Sequence, residues 1–362
     1  MKILQICRSL GVGGIETVVL GLANELAKTN EVTVCTIRQP LNTDWVYHHL
    51  DPSVKKDTLG KLETTSPIKV VFQLYTYIKN SDFDIVHIHC FFYYYALAIL
   101  LLHKRKKFIY TVHSDAEKEN LPWDLRLFAF KRFCFRKKWV YPVTISQAGK
   151  ESFAKLYGCD SKLIMNGIAR PFVTAEDLSF PFHISAQTQV FINPGRVCPQ
   201  KNQGMLCRVF DKLIKEGWDI SLVIAGPNHD VASYQSIEPF LSERIIYLNE
   251  HHDIPSLLHY SDGMCLSSAW EGMPMVIIEA LAVGCPCICT PVGGVVNMVE
   301  SGQNGILSKS VSEEDYYDAM RHYLSLSQED VALMREKAKE SYSKYDVKNM
   351  VSNYYDYFRS IV

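Results

Sequence analysis

Two glutamates stand eight positions apart in "AWEGMPMVIIE" (269–279), with Gly272 and Pro274 between them. Pro274 suits the first turn of a helix, which puts Glu271 in the loop before it and Glu279 in the second helical turn. At about 1.5 Å per residue plus a loop, the two carboxyls fall on the order of 8–12 Å apart, too far for the close pair of a retaining glycosidase. The spacing predicts two acids with separate tasks, one near a reacting group and one farther along the same ligand. A plainer reading is an acid favoured by a helix dipole, followed by a solvated acid.

Other candidates lie where strands end. "NPGRVCPQKN" (193–202) sets Arg196 at a strand end and Lys201 where the next helix opens. Two such cations can grip a diphosphate, Arg through its planar fork and Lys as a point charge, or they are ordinary surface charges. "RSLGVGGIET" (8–17), with Gly13 and Gly14, is either a plain tight turn or a backbone cradle for a phosphate or sugar. It is no dinucleotide fingerprint, because the third glycine position holds Glu16 and the second strand ends in Arg38. His113 closes the strand "IYTVH" and is either structural or part of a site. "DFD" (82–84) has the form of a metal-carrying D-x-D, but it precedes its strand, at the sheet end remote from ligands, and reads as a solvated entry. His87 and His89 face one way on "IVHIHC" with no third ligand evident, and read as core histidines.

The elements that must position these residues form two series. "MKILQIC" (1–7), "EVTVCTI" (31–37), "DIVHIHC" (84–90), "KFIYTVH" (107–113) and "VYPVTIS" (140–146) are short apolar or alternating runs separated by helical patterns. After a linker at 169–189, where periodicity fades around Pro171 and Pro181, come "VFINPGR" (190–196), "SLVIAGP" (221–227), "IIYLN" (245–249), "GMCLSS" (263–268) and "CICT" (287–290). The pattern predicts two α/β, doubly wound, Rossmann-like domains, residues 1–170 and 171–345. A helix at 346–362 is expected to pack back on the first. In open parallel sheets ligands bind beyond the carboxyl ends of the strands, so the two domains are expected to face each other across a cleft.

The 362 residues are 48% hydrophobic and 21% charged, an ordinary globular composition. "MKILQIC" runs straight into strand-like sequence without a leader pattern, and the longest apolar run, "FFYYYALAILLL" (91–102), is too short to span a bilayer, so a buried core helix in a cytoplasmic protein is expected. Eleven cysteines without a C-x-x-C pair read as reduced, structural thiols. Charge is uneven: residues 1–170 hold 24 Lys and Arg against 15 Asp and Glu, while 171–362 hold 14 against 24. The cations cluster at Lys104–Lys107 and in "DLRLFAFKRFCFRKKWV" (124–140), interleaved with Phe and Trp. That stretch is either an amphipathic helix packing its Phe residues inward or a reversible contact with an anionic membrane surface. Nucleic acid is not an expected partner.

Taken together, "GRVCPQKN", the long segment "SSAWEGMPMVIIEALAVGCPCICTPVGGVVNMVESGQNGIL" (267–307), "GGIE" (13–16), "DIVHIH", "TVH" and the helical tail closely resemble glycosyltransferase family 4, the retaining GT-B enzymes. The resemblance implies a second domain that binds a nucleoside-diphosphate sugar, with Glu271 at the sugar, Glu279 on the ribose hydroxyls and Arg196 and Lys201 on the diphosphate. It implies that the loop of Gly272, Met273, Pro274 and Met275 meets the donor through its backbone, that Gly13 and Gly14 form the N-terminal glycine loop and also bind the donor, and that His113 is the strand-end catalytic histidine. No cofactor or metal is implied. The implied reaction moves a hexose or N-acetylhexosamine, from UDP by preference, to a glycan or lipid-linked acceptor, in cell-surface polysaccharide synthesis at the inner face of the membrane. A nucleotide-sugar epimerase of the same architecture and a non-catalytic nucleotide-sugar-binding module are the rivals. Where many relatives carry "PS" before the EG loop, this chain has "SSAWEG", which gives the sugar pocket an aromatic wall at Trp270.

Overall fold

The computed structural model describes residues 1–362 except positions 12, 43, 63, 118, 120–124, 172, 174–186, 250 and 252. The linker expected at 169–189 falls mostly outside the described residues. The chain forms two compact units, one of Met1–Ala169 with Tyr345–Val362, the other of Arg170–Lys344.

In the first unit seven strands, β1 (Lys2–Cys7), β2 (Glu31–Arg38), β3 (Lys55–Lys61), β4 (Ile85–Ile88), β5 (Lys107–Val112), β6 (Val140–Thr144) and β7 (Lys162–Leu163), make one parallel sheet in the order β3-β2-β1-β4-β5-β6-β7. The inner strands are apolar because helices cover both faces of a parallel sheet. Strand β3, "KKDTLGK", has no such pattern: it is a lysine-bearing edge strand, and the expected series of five passes over it. Strand order reverses between β1 and β4, so the loops leaving these two strands diverge and open a crevice.

The helix Val347–Ile361 belongs to this unit. Val347, Met350, Tyr354 and Phe358 recur at helical spacing and are all buried. Phe358 and Tyr354 pack on the His87 ring, and the Tyr354 hydroxyl lies 3.0 Å from Thr111 Oγ1. Where the returning chain meets the sheet, Ile168 and Asp346 bridge, and a Cβ on Gly167 would come within 2.8 Å of the Asp346 carbonyl oxygen. Only glycine leaves room for that approach.

The segment 91–102 splits into a 3-10 turn, Phe92–Tyr95, and a short helix, Ala96–Leu102, with Leu100 and Leu101 exposed. The basic aromatic stretch forms the helix Phe128–Arg136. Phe135 is buried and Phe128 and Phe130 pack on the core, whereas Phe133 is 44% exposed. Two members of the expected cationic surface are turned away from it, Lys131 buried and Lys106 partly buried. Lys131 is 2% exposed, its ammonium 4.8 Å from the centroid of Tyr110 and 5.3 Å from that of Phe92, a cation–π cage that helps offset its loss of water. Lys106 donates to the carbonyls of Ser81 and Phe83. Lys104, Arg105, Arg132, Arg136, Lys137 and Lys138 remain exposed.

In the second unit β8 (Gln189–Pro194), β9 (Ile220–Ala225), β10 (Ile245–Tyr247), β11 (Gly263–Leu266), β12 (Cys287–Cys289) and β13 (Gly305–Leu307) form a parallel sheet in the order β10-β9-β8-β11-β12-β13. Strand β13, three residues at an edge, is again outside the expected series. Here the order reverses between β8 and β11, which makes the loops after those strands the ligand-facing pair.

Truncation of Phe358 tests the returning helix. Phe358→Ala should destabilise the first unit by about 3–5 kcal/mol, the usual cost of emptying a buried aromatic site. Urea denaturation followed by hydrogen exchange in β4 and β5 measures it.

Candidate functional site

The loops after β8 and β11 are locked together by one ion pair. Lys201 Nζ lies 2.6 Å from Glu271 Oε1, with the two side chains only 12% and 7% exposed. Ser268 Oγ donates to the same carboxylate oxygen at 2.7 Å, and Gln200 Nε2 donates to Oε2 at 3.3 Å and to the Trp270 carbonyl at 3.1 Å. The backbones are joined as well. Ala269 N–H donates to the Gln200 carbonyl, and the Ser267 hydroxyl donates to the Lys201 carbonyl. A third loop, after β12, completes the clamp: Thr290 Oγ1 donates to the Ser268 carbonyl and Gly294 N–H to that of Gly272. Gly293 sits at φ 50°, and a Cβ there would overlap the carbonyl oxygen of Glu271. The left-handed conformation and the contact both demand glycine.

Arg196 follows Gly195 at the end of β8, exposed, with its guanidinium in no ion pair among the described residues. Gln203 Nε2 donates to its carbonyl. The helix expected after Glu271 begins at Met275, with Pro274 as its N-cap rather than in its first turn, and no side chain caps it. The turn Gly272–Pro274 therefore delivers the positive end of a helix dipole beside Glu271. Met273, Pro274 and Met275 are buried, and Trp270 is exposed.

Glu279, fifth in that helix, differs from Glu271 in every respect but charge. No hydrogen bond or ion pair reaches its carboxylate among the described residues, and burial pushes its pKa up to about 7. A half-hidden carboxylate without donors is an unmet demand for them.

The candidates of the first unit lie at the carboxyl ends of β1 and β5. Gly13 precedes and Gly14 begins the helix Gly14–Ala27, and the Gly13 carbonyl accepts from both the amide and the hydroxyl of Thr17. His113 stands just past β5. Its amide and that of Ser114 donate to Glu119 Oε2, while Tyr110 donates to Oε1. Its ring stacks on His89, Nε2 to Nδ1 at 3.2 Å. Burial pulls the His113 pKa down to about 4, that of His87 to about 3, and that of His89 well below the usual range, so all three rings are neutral at pH 7. Asp82 and Asp84 are engaged at the opposite end of the sheet, Asp82 by the Lys2 ammonium and Asp84 by the Lys2 amide at 2.8 Å.

Three features have no counterpart in the sequence reading. Gln200 stands beside Lys201 in "GRVCPQKN", Ser268 lies in "SSAWEG" and the spacer Gly293 in "PVGG", and these quoted segments are the signals that could have pointed to them.

Residues 12–170 match the family described as Glycosyltransferase Family 4, and residues 175–341 match Glycosyl transferases group 1. The Escherichia coli UDP-Gal:alpha-D-GlcNAc-diphosphoundecaprenol alpha-1,3-galactosyltransferase is 27% identical over 310 residues, 79% of this chain and 78% of that protein. The glycosyltransferase EpsF of Bacillus subtilis strain 168 is 23% identical over 340 residues, 86% and 84% of the two chains. Among solved structures, HepE of Anabaena in complex with UDP and glucose superposes with a TM-score of 0.81 at 19% identity, covering 99% of this chain and 100% of that one. Two parallel sheets with these loops are a GT-B glycosyltransferase. The chain belongs to glycosyltransferase family 4.

The isolated Glu279 carboxylate has a consequence for stability. Its folded pKa is raised above the unfolded value, so the folded chain holds the proton more tightly, and stability falls as pH rises from about 4.5 to about 7. Glu279→Gln, which has no charge to bury, should stabilise the second unit at pH 8 by on the order of 2 kcal/mol and leave it near the parent at pH 4.5. Thermal or urea unfolding at the two pH values checks the sign.

Proposed function

We propose that the protein transfers a hexose or N-acetylhexosamine, with retention, from a nucleoside-diphosphate sugar to a glycan or lipid-linked acceptor in cell-surface polysaccharide synthesis. UDP is the favoured nucleotide. The observation that carries this reading is the donorless Glu279 carboxylate, one helical turn beyond the loop that holds Glu271. The two hydroxyls of a ribose are two donors, and binding them compensates the carboxylate for lost water. Arg196 and Lys201 then meet the diphosphate, and Glu271, with the amides of Gly272–Met275, meets the sugar.

Glu271 is not assigned as a nucleophile, since Lys201, Ser268 and Gln200 already hold its oxygens. In the proposed step the bond from C1 to the diphosphate oxygen breaks, the acceptor oxygen bonds C1 on the same face, and the acceptor proton passes to a diphosphate oxygen. The two cations and the helix N-terminus stabilise the departing charge, a duty that calls for no metal. The first unit holds the acceptor, with the neutral ring of His113 beside a hydroxyl, while Gly13 and Gly14 are assigned to the donor. The relatives support the substrate classes: UDP-Gal and a diphosphoundecaprenol acceptor for the E. coli enzyme, UDP and glucose for HepE.

A lipid-linked acceptor fits the surface of the first unit. His103 stacks on Trp139 at 3.7 Å, Trp139 meets Phe133 edge-on, and the exposed Lys104, Arg105, Arg136, Lys137 and Lys138 neighbour this aromatic group in sequence. No helix among the described residues is long and apolar enough to cross a membrane. Peripheral, charge-assisted contact is the proposed mode, with each cation near an anionic surface contributing about 1 kcal/mol.

Calorimetry with UDP separates the two glutamates. Glu279→Ala should lose about 1.5–3 kcal/mol of UDP binding, the value of hydrogen bonds to a charged group. Glu271→Ala should keep UDP affinity and lose turnover of UDP-sugars, and turnover by the parent should survive EDTA. Unchanged UDP affinity in Glu279→Ala would overturn the ribose assignment, and a strict divalent-cation requirement the metal-free chemistry.

Vesicle sedimentation tests the surface. The chain should bind phosphatidylglycerol vesicles at low salt and release as salt rises, and neutral replacement of Arg136, Lys137 and Lys138 should abolish binding while sparing UDP affinity. Equal binding to neutral and anionic vesicles would remove the electrostatic mode.

A further inference from the structure

A buried hydrogen-bonded series leads from the first strand to His113. Gln5, in the middle of β1, is fully buried, and its Oε1 lies 3.2 Å from His89 Nε2. His89, just past β4 and 1% exposed, continues through Nδ1 to His113 Nε2, also at 3.2 Å. The strand order β1-β4-β5 places the three residues side by side.

A neutral imidazole has one N–H and one lone pair, and a carbonyl oxygen can only accept. Facing the Gln5 carbonyl, His89 carries its proton on Nε2 and turns its Nδ1 lone pair toward His113. That lone pair takes an N–H from His113 Nε2. The ring of His113 is then left with a lone pair at Nδ1, and no hydrogen bond uses that atom among the described residues. His87 does not enter the series, although its ring centroid is 4.1 Å from that of His89, because its Nε2 is bound to Thr111 Oγ1 at 2.7 Å. The Glu119 contacts hold only the backbone of His113, so the ring depends on His89 for its tautomer.

We propose that Gln5, acting through His89, is a positioning residue that fixes His113 as the Nε2–H tautomer, so that Nδ1 accepts a hydrogen bond from a substrate hydroxyl. The inference rests on the placement of His113 at the acceptor in the proposed function. It adds a selection rule: a hydroxyl or water can satisfy Nδ1, whereas a carbonyl or ether oxygen cannot.

The test is nitrogen NMR of the full chain with ¹⁵N-labelled histidine rings at pH 7.5, the His113 signals being identified by their loss in His113→Gln. The parent should show Nε2–H at His113. Gln5→Met, equal in length but without the amide, and His89→Phe should each give a mixture of tautomers. Both variants should keep the parent's UDP affinity and hydrolyse UDP-glucose about tenfold more slowly, the scale of losing an orienting partner one residue removed from the reacting atoms. Nδ1–H in the parent, which a Gln5 amide turned the other way would produce, overturns the proposal. So does an unmixed Nε2–H tautomer in both variants. Tautomers that mix while hydrolysis stays unchanged would leave the series intact and refute the role of His113 instead.

Discussion

A lysine and a glutamate withdrawn from water are tolerated only when their remaining hydrogen-bonding capacity is met, because desolvation otherwise outweighs their attraction. On the Glu271 side that condition is met through Ser268 and Gln200, and the surrounding backbone is arranged to make it possible. The loops that bring the two residues together leave adjacent strands, β8 and β11, at the point where strand order reverses. Lys201 and Glu271 can meet because β8 and β11 pair as neighbours, so that their carboxyl ends and the loops that leave them lie side by side. Gly293 then closes the third loop against the Glu271 carbonyl, so the carboxylate is fixed from its backbone as well as from its oxygens.

Glu279 shows the opposite treatment of the same side chain. Three donors hold the Glu271 carboxylate, whereas Glu279 has none among the described residues and takes its place from its helix. A family 4 chain thus carries in eight residues one carboxylate organised in advance and one held in readiness. The first is part of the scaffold of the site. The second is destabilising at neutral pH, where burial opposes its charge.

Much of this was legible from pattern. The short apolar or alternating runs gave ten of the strands, and the helix after Pro274 lay within one residue of its place. What pattern could not supply has physical reasons. Strands β3 and β13 are edge strands, one lysine-bearing and one three residues long, and neither needs the two-sided apolar run that marks a buried strand. The salt bridge of Lys201 joins residues 70 positions apart, and spacing carries no information about a contact that topology creates. Lys131 reads as one cation among many in "KRFCFRKK", yet helical periodicity turns it inward onto Tyr110 and Phe92. His89 could be read as a core histidine, but its bond to His113 depends on β4 and β5 being neighbours.

The helix Val347–Ile361 completes the core of a unit whose other residues end at Ala169. On the ribosome, everything from Arg170 to Lys344 must be synthesised before that helix exists. The second unit, continuous in sequence, can close as it emerges, but the first must wait with the Thr111 and His87 face of its sheet uncovered. A chain interrupted anywhere in the second unit would therefore carry an unfinished first unit with exposed apolar surface. Such a product is a substrate for chaperones and proteases, so synthesis of the helix Val347–Ile361 becomes the step that licenses the first unit to fold.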